Sequence, residues 1–165
     1  MILRLIDHAH GVETGPGDHI VYDVAADEAH VGAARVQGRA LVWELTERPP
    51  GEWLLRCDRV DFPPGGEAFL HTHQGPGLRV LLFGSIRIET QGTTHEYAPG
   101  EAWFETGPDP VHALTHAGEP SAFVRCMVLP RAIQGSPSLR YVRDEDRERP
   151  KSQRYTVFLD EPVAL

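Results

Sequence analysis

The sequence lacks most of the features that would place a protein quickly. It has only two cysteines in 165 residues, Cys57 and Cys126, each inside an apolar, strand-like run. This excludes a disulfide-dense scaffold and a paired-cysteine zinc site, and it reads as two buried, reduced thiols. Positive charge is scarce: the formal net charge is -8 and no basic cluster offsets it, which argues against a nucleic-acid or anionic-membrane partner. No apolar run approaches the length of a membrane span. The opening MILRLIDHAHGVETG is broken by Asp7 and His8 too early for a signal peptide, so the expected location is cytoplasmic. There is no long amphipathic helical pattern and no solenoid repeat. GSPS near 135 lacks the context of a nucleophile elbow, and no glycine loop stands ahead of a helix to cradle phosphate.

The chain does have turn residues and short strands. It holds 16 Gly and 14 Pro, and they fall between short apolar runs. ALVWELTE (40–47) and EWLLRCDRVDF (52–62) read as strands, closed by PPG (49–51) and PPGG (63–66). EAFLHTH, LRVLLFGSIRIET, TTHEYA, PSAFVRCMVLP and RYTVFLDEPVAL follow, with turn signals about every 8–12 residues, the pattern of an antiparallel barrel or sandwich. QG at 91–92 reads as a tight hairpin turn. The run RDEDRERPK (143–151) reads as a solvated linker ahead of a last strand. We expect one domain over 1–165, with a core at about 52–130, N-terminal strands in 1–48 and a C-terminal linker and strand in 138–165.

Nine histidines occur. His8 and His10, near the N-terminus, read as surface residues, and His95, just beyond the hairpin turn, reads as exposed. His71 and His73 stand two apart in a strand and so share a face, where two imidazoles can bind one metal ion without bending the backbone. His112, after the PDP bend, is the best candidate for a third ligand from another strand, and His116 shares its face if that strand is regular. Glu105, before the bend, is a candidate replacement ligand or base. Trp43, Trp53 and Trp103 read as core or interface residues.

The stretch GGEAFLHTHQGPGLRVLLFG (65–84) resembles the first motif of the cupin superfamily through Gly65, His71, His73 and Gly84. Pro99, Gly100, Glu101, Phe104, Pro108, Pro110 and His112 resemble the second motif, with one residue more before the histidine than the pattern has. The resemblance spans residues 65–116. It implies an all-β cupin-type double-stranded β-helix, or jelly-roll barrel, with His71, His73 and His112 as ligands of one divalent transition metal: Fe, Ni, Zn, Mn or Cu. It also implies a homodimer, formed through outer sheet faces or an exchanged terminal strand.

The family's glutamate ligand falls at Gly77, which has no side chain to offer. Either the metal site has decayed, or three histidines hold an open site suited to an anionic, chelating small molecule. HTHQGPGLRVLLFG is similar to the three-histidine cupin dioxygenases that cleave gentisate and salicylate, where a Leu-Arg pair follows at the matching offset. By that likeness Arg79 would clamp a substrate carboxylate; the alternative is that it pairs with an internal acid, Glu101 or Glu105. The implied function is a small metal-binding cupin, acting as a non-haem metal-dependent dioxygenase or related enzyme on a small carboxylate or enol. A non-catalytic binding or sensing barrel without metal is the alternative. Under either, Arg79, His116 and Glu105 are the candidate ligand-binding residues.

Overall fold

The computed structural model describes residues 51–163, together with the backbone of five short strands before them. The chain divides into two compact units, residues 51–163 and, essentially, residues 1–50. In the first 50 residues, β1 (Ile2–Ile6), β2 (Gly11–Gly15) and β5 (Ala40–Glu44) form an antiparallel sheet in the order β2-β1-β5. The strands β3 (Ile20–Asp23) and β4 (Glu28–Val31) form a separate antiparallel pair. His8, His10 and the side chain of Trp43 lie outside the described residues.

The second unit holds ten strands: β6 (Trp53–Phe62), β7 (Glu67–His73), β8 (Gly77–Phe83), β9 (Ile86–Thr90), β10 (Thr93–Tyr97), β11 (Ala102–Glu105), β12 (Val111–Thr115), β13 (Ser121–Pro130), β14 (Leu139–Tyr141) and β15 (Arg154–Val163). They form two five-stranded antiparallel sheets, β10-β9-β12-β7-β14 and β11-β8-β13-β6-β15. Apart from the β9–β10 hairpin, each strand passes to the opposite sheet from its predecessor. That alternation is the double-stranded β-helix of a cupin jelly roll, the fold expected from the motifs. The hairpin turns at Gln91-Gly92, where both residues have positive φ (49° and 73°), as a two-residue I′ turn requires. Among the described residues no helix is long and apolar enough to cross a membrane.

The core lies between the sheets. Val60, Phe62, Ala68, Leu81, Ile86, Ile88, Trp103, Val111, Ala113 and Phe123 are buried together there, with Tyr97 stacked on Trp103 at 4.7 Å. Cys57 and Cys126 sit opposite one another on β6 and β13, both buried and unbonded. Their thiols meet, and that contact, together with burial, pushes Cys57 well above the usual thiol range.

The C-terminal strand β15 pairs along β6 of its own chain, as the edge of the second sheet. The charged run before it is more than a solvated linker. It forms a single helical turn, α1 (Glu145–Glu148), pinned by buried Asp146, which accepts from Arg149 at 2.9 Å. Arg149 in turn lies 3.6 Å over the Phe69 ring, so this segment caps the outer side of β7.

Candidate functional site

A bulge sets the aim of the two histidines. Ala68 of β7 faces the core, and strict alternation from it would send His71 and His73 outward. Between the pairs Val111↔His71 and Ala113↔Ala68 the β7 strand carries one extra residue, which turns the phase over. Phe69 then faces out under Arg149, while His71 and His73 face in, 4% and 5% exposed.

The same register places His112 elsewhere. Val111 is directly opposite His71 and faces inward with it, so His112 faces out. There its Nε2 meets Glu67 Oε1 at 2.8 Å and its Nδ1 meets Glu89 Oε2 at 3.2 Å. His112 is therefore not the third ligand: both ring nitrogens are occupied by carboxylates on the outer face. His116 is also corrected. It is exposed beyond the end of β12, where its Nδ1 accepts from the Gly118 amide at 3.1 Å.

Facing the two histidines, the inner surface of the second sheet carries a row of charges. Trp103 of β11, Arg79 of β8, Arg125 of β13 and Asp58 of β6 are consecutive cross-strand neighbours. Two residues along each strand, the neighbours are Glu105, Gly77, Met127 and Arg56. Arg79, 1% exposed, lies with its Nη2 2.7 Å from Glu105 Oε2 and donates from Nη1 to the Gly77 carbonyl at 2.6 Å. The Arg79–Glu105 contact is an ion pair without a well-aligned hydrogen bond, so both of those atoms keep unused bonding capacity. Trp103 Nε1 donates to the other Glu105 oxygen at 2.9 Å. Arg125 donates to both oxygens of Asp58, at 2.6 and 3.0 Å.

Gly77 makes this arrangement possible. A Cβ there would come within 2.7 Å of Met127 Cγ, 2.9 Å of the Cys126 carbonyl and 3.2 Å of Arg79 Nη1. A side chain at the position where the family pattern has its glutamate would force Met127 or the Cys126 backbone to shift, and the Arg79 guanidinium lies beside it.

The His71 and His73 rings meet edge to face, with their Nε2 atoms 3.2 Å apart. His71 Nδ1 is 2.7 Å from the Phe69 carbonyl, which can only accept, so that nitrogen carries the proton and Nε2 is bare. His73 extends this network. Its Nε2–H is directed at His71 Nε2, with Glu105 Oε2 3.4 Å away, and its Nδ1 lies 3.4 Å from the Ser138 hydroxyl. Burial holds both rings neutral. It lowers His71 to about 4, and it lowers His73 well below the usual imidazole range with help from the Arg79 charge. Burial also brings Arg79 down to about 10, opposed by the attraction of Glu105.

These residues do not fit the expected metal centre. Of the implied ligands only His71 and His73 face the interior, the glutamate position is taken by Gly77, and Glu105 is held by Arg79 and Trp103. Among the described residues no group of three or more His, Cys, Asp or Glu side chains is arranged to hold a metal ion.

Two spaces adjoin the site. The inner chamber, between the histidines, Arg79, Glu105 and Trp103, holds only about 20 Å³, room for one water molecule. A cavity of about 920 Å³ opens where the edge strands β14 and β15 leave the sandwich unclosed. Arg125, Leu139 and Tyr155 line both spaces and separate them. Sequence reasoning missed this cavity, although Tyr155 and Val157, alternate residues of the terminal strand, marked its wall; they are 46% and 54% exposed. Four arginines and two aspartates also line it. Asp160 accepts two bonds from Arg56, and Asp58 two from Arg125. Arg147 pairs with Asp144, whereas Arg140 donates to the neutral amide oxygen of Gln74 and keeps its charge.

No family model matches this sequence, and no curated protein does. Several solved structures are similar. The polyketide cyclase RemF from Streptomyces resistomycificus shares 26% identity, with 56% of this chain and 61% of that one covered, at a TM-score of 0.44. An RmlC-like cupin from Shewanella frigidimarina shares 16%, covering 47% and 68%, at 0.42. The DMSP lyase DddQ from Ruegeria pomeroyi shares 22%, covering 44% and 37%, at 0.41. The chain thus matches under two thirds of the cyclase and under half of the lyase, and the likeness says nothing of what it binds.

Proposed function

We propose that this cupin barrel binds a small, largely apolar molecule carrying an anionic group, in the cavity between β14 and β15. The observation that carries the reading is Arg140, which pairs with no carboxylate among the described residues, on the wall of a cavity whose lining also includes Pro137, Leu139, Tyr141, Tyr155 and Val157. Its volume of about 920 Å³ is at the upper end for small-molecule sites. An apolar body would cover Tyr155 and Val157, and its anionic end would meet Arg140, with Arg147 nearby. Arg79, the residue expected in that role, is paired with Glu105 inside the barrel.

Titration with anilinonaphthalene sulfonate, an apolar anion whose fluorescence rises on burial, tests this. One saturable site per chain is expected, lost in Val157→Glu, which puts a carboxylate on the cavity wall. No saturable binding, or binding unchanged by that substitution, would refute the reading.

A second reading keeps the enzyme suggested by the motifs, a metal-dependent oxygenase or related catalyst of a small carboxylate or enol. In its favour are the two histidine Nε2 atoms at 3.2 Å, a separation one shared ion would also produce. Metal content after reconstitution separates the two. We also propose a homodimer formed through outer sheet faces rather than by exchange of β15; a monomer by light scattering would exclude it.

A further inference from the structure

We propose that Arg79 is the resident cation of this barrel, standing in for the metal ion that the two histidines lead one to expect. Three observations meet on it. Arg79 is among the largest fully buried side chains described, and its guanidinium holds Glu105, the one carboxylate among the described residues that comes within 3.4 Å of His73 Nε2. Its Nη1 lies 3.2 Å from where a Cβ at position 77 would stand, so glycine at 77 and arginine at 79 form one unit: the first vacates the carboxylate position and the second lies beside it. The interior is also balanced without an ion. Glu105 offsets Arg79 and Asp58 offsets Arg125. A dication added on two neutral imidazoles would leave two uncompensated positive charges beside two buried guanidinium groups, a costly state in a medium of low polarity.

It follows that removing Arg79 should create a metal site. Without the guanidinium, Glu105 is left charged and unpaired 3.4 Å from His73 Nε2, and His71 and His73 already converge. Two histidines and one carboxylate are a donor set that binds first-row dications.

The test uses protein purified without a nickel column and titrated with Co(II), read by metal content, the visible absorption of bound cobalt and the melting temperature. Wild type should retain less than roughly a tenth of an equivalent and show no cobalt-dependent rise in melting temperature. Arg79→Met should take up about one equivalent, with melting raised by several degrees. Adding Glu105→Gln should abolish that uptake, adding His112→Ala should leave it intact, and Arg79→Lys, which keeps a cation, should remain metal-poor. A full equivalent bound by wild type overturns the proposal, as does a folded Arg79→Met protein that takes up no more cobalt than wild type. If Arg79→Met does not fold, the wild-type titration still decides. Dye binding in the outer cavity is read separately, so failure of one proposal is distinguishable from failure of the other.

Discussion

Arg79 and Glu105 form a buried ion pair at 2.7 Å, with side chains 1% and 6% exposed, on neighbouring strands of one sheet. Removing one partner leaves a buried charge without its counter-ion. Arg79→Met should therefore cost about 3–5 kcal/mol of stability in metal-free buffer. The double variant Arg79→Met/Glu105→Leu, which removes both charges, should recover most of that loss. Urea unfolding of the three proteins checks this, and a double variant no more stable than Arg79→Met would contradict it.

The two buried histidines should make the fold sensitive to acid. His71 titrates at about 4 in the folded protein, against about 6.5 when exposed, and His73 is shifted in the same direction. The unfolded chain binds the proton first, so stability is complete above about pH 6.5 and falls as pH drops from there toward 4. For His71 alone the loss reaches about 2 kcal/mol at pH 5. Unfolding midpoints measured from pH 7.5 to 5 should fall, and His71→Gln should flatten the fall. A wild-type midpoint constant over that range would contradict the assignment.

Gly77→Ala should cost about 1–3 kcal/mol, because the added methyl group meets the Cys126 carbonyl as well as Met127. Gly92→Ala, where a Cβ meets nothing within 4 Å, serves as a comparison in which only the positive φ matters. Thermal melts that rank Gly92→Ala as the more damaging would refute the close-packing account of Gly77.

The barrel was readable from the spacing of turns and the two motifs, because strand length and turn chemistry are local properties. The spacing of His71 and His73 shows only that they share a face; their inward aim depends on a bulge in β7 that the pairing with β12 exposes. The outward aim of His112 did leave a mark in the sequence. The second motif carries one residue too many before it, and a slip of one residue in a strand exchanges the faces. Of the two internal acids weighed for Arg79, Glu105 is the one found, whereas the gap at Gly77 had pointed to an anion supplied by a ligand. The cavity was not legible, since it depends on which strands end as the edges of the two sheets, a non-local outcome.

The central claim, an apolar anion held at Arg140, is tested most directly by calorimetric titration with 2-naphthoate and its neutral amide, matched in shape and differing in charge. Wild type should bind the acid about tenfold more tightly than the amide, and Arg140→Met should close that gap. Equal affinities in wild type, or a preference for the acid that survives Arg140→Met, would contradict the account.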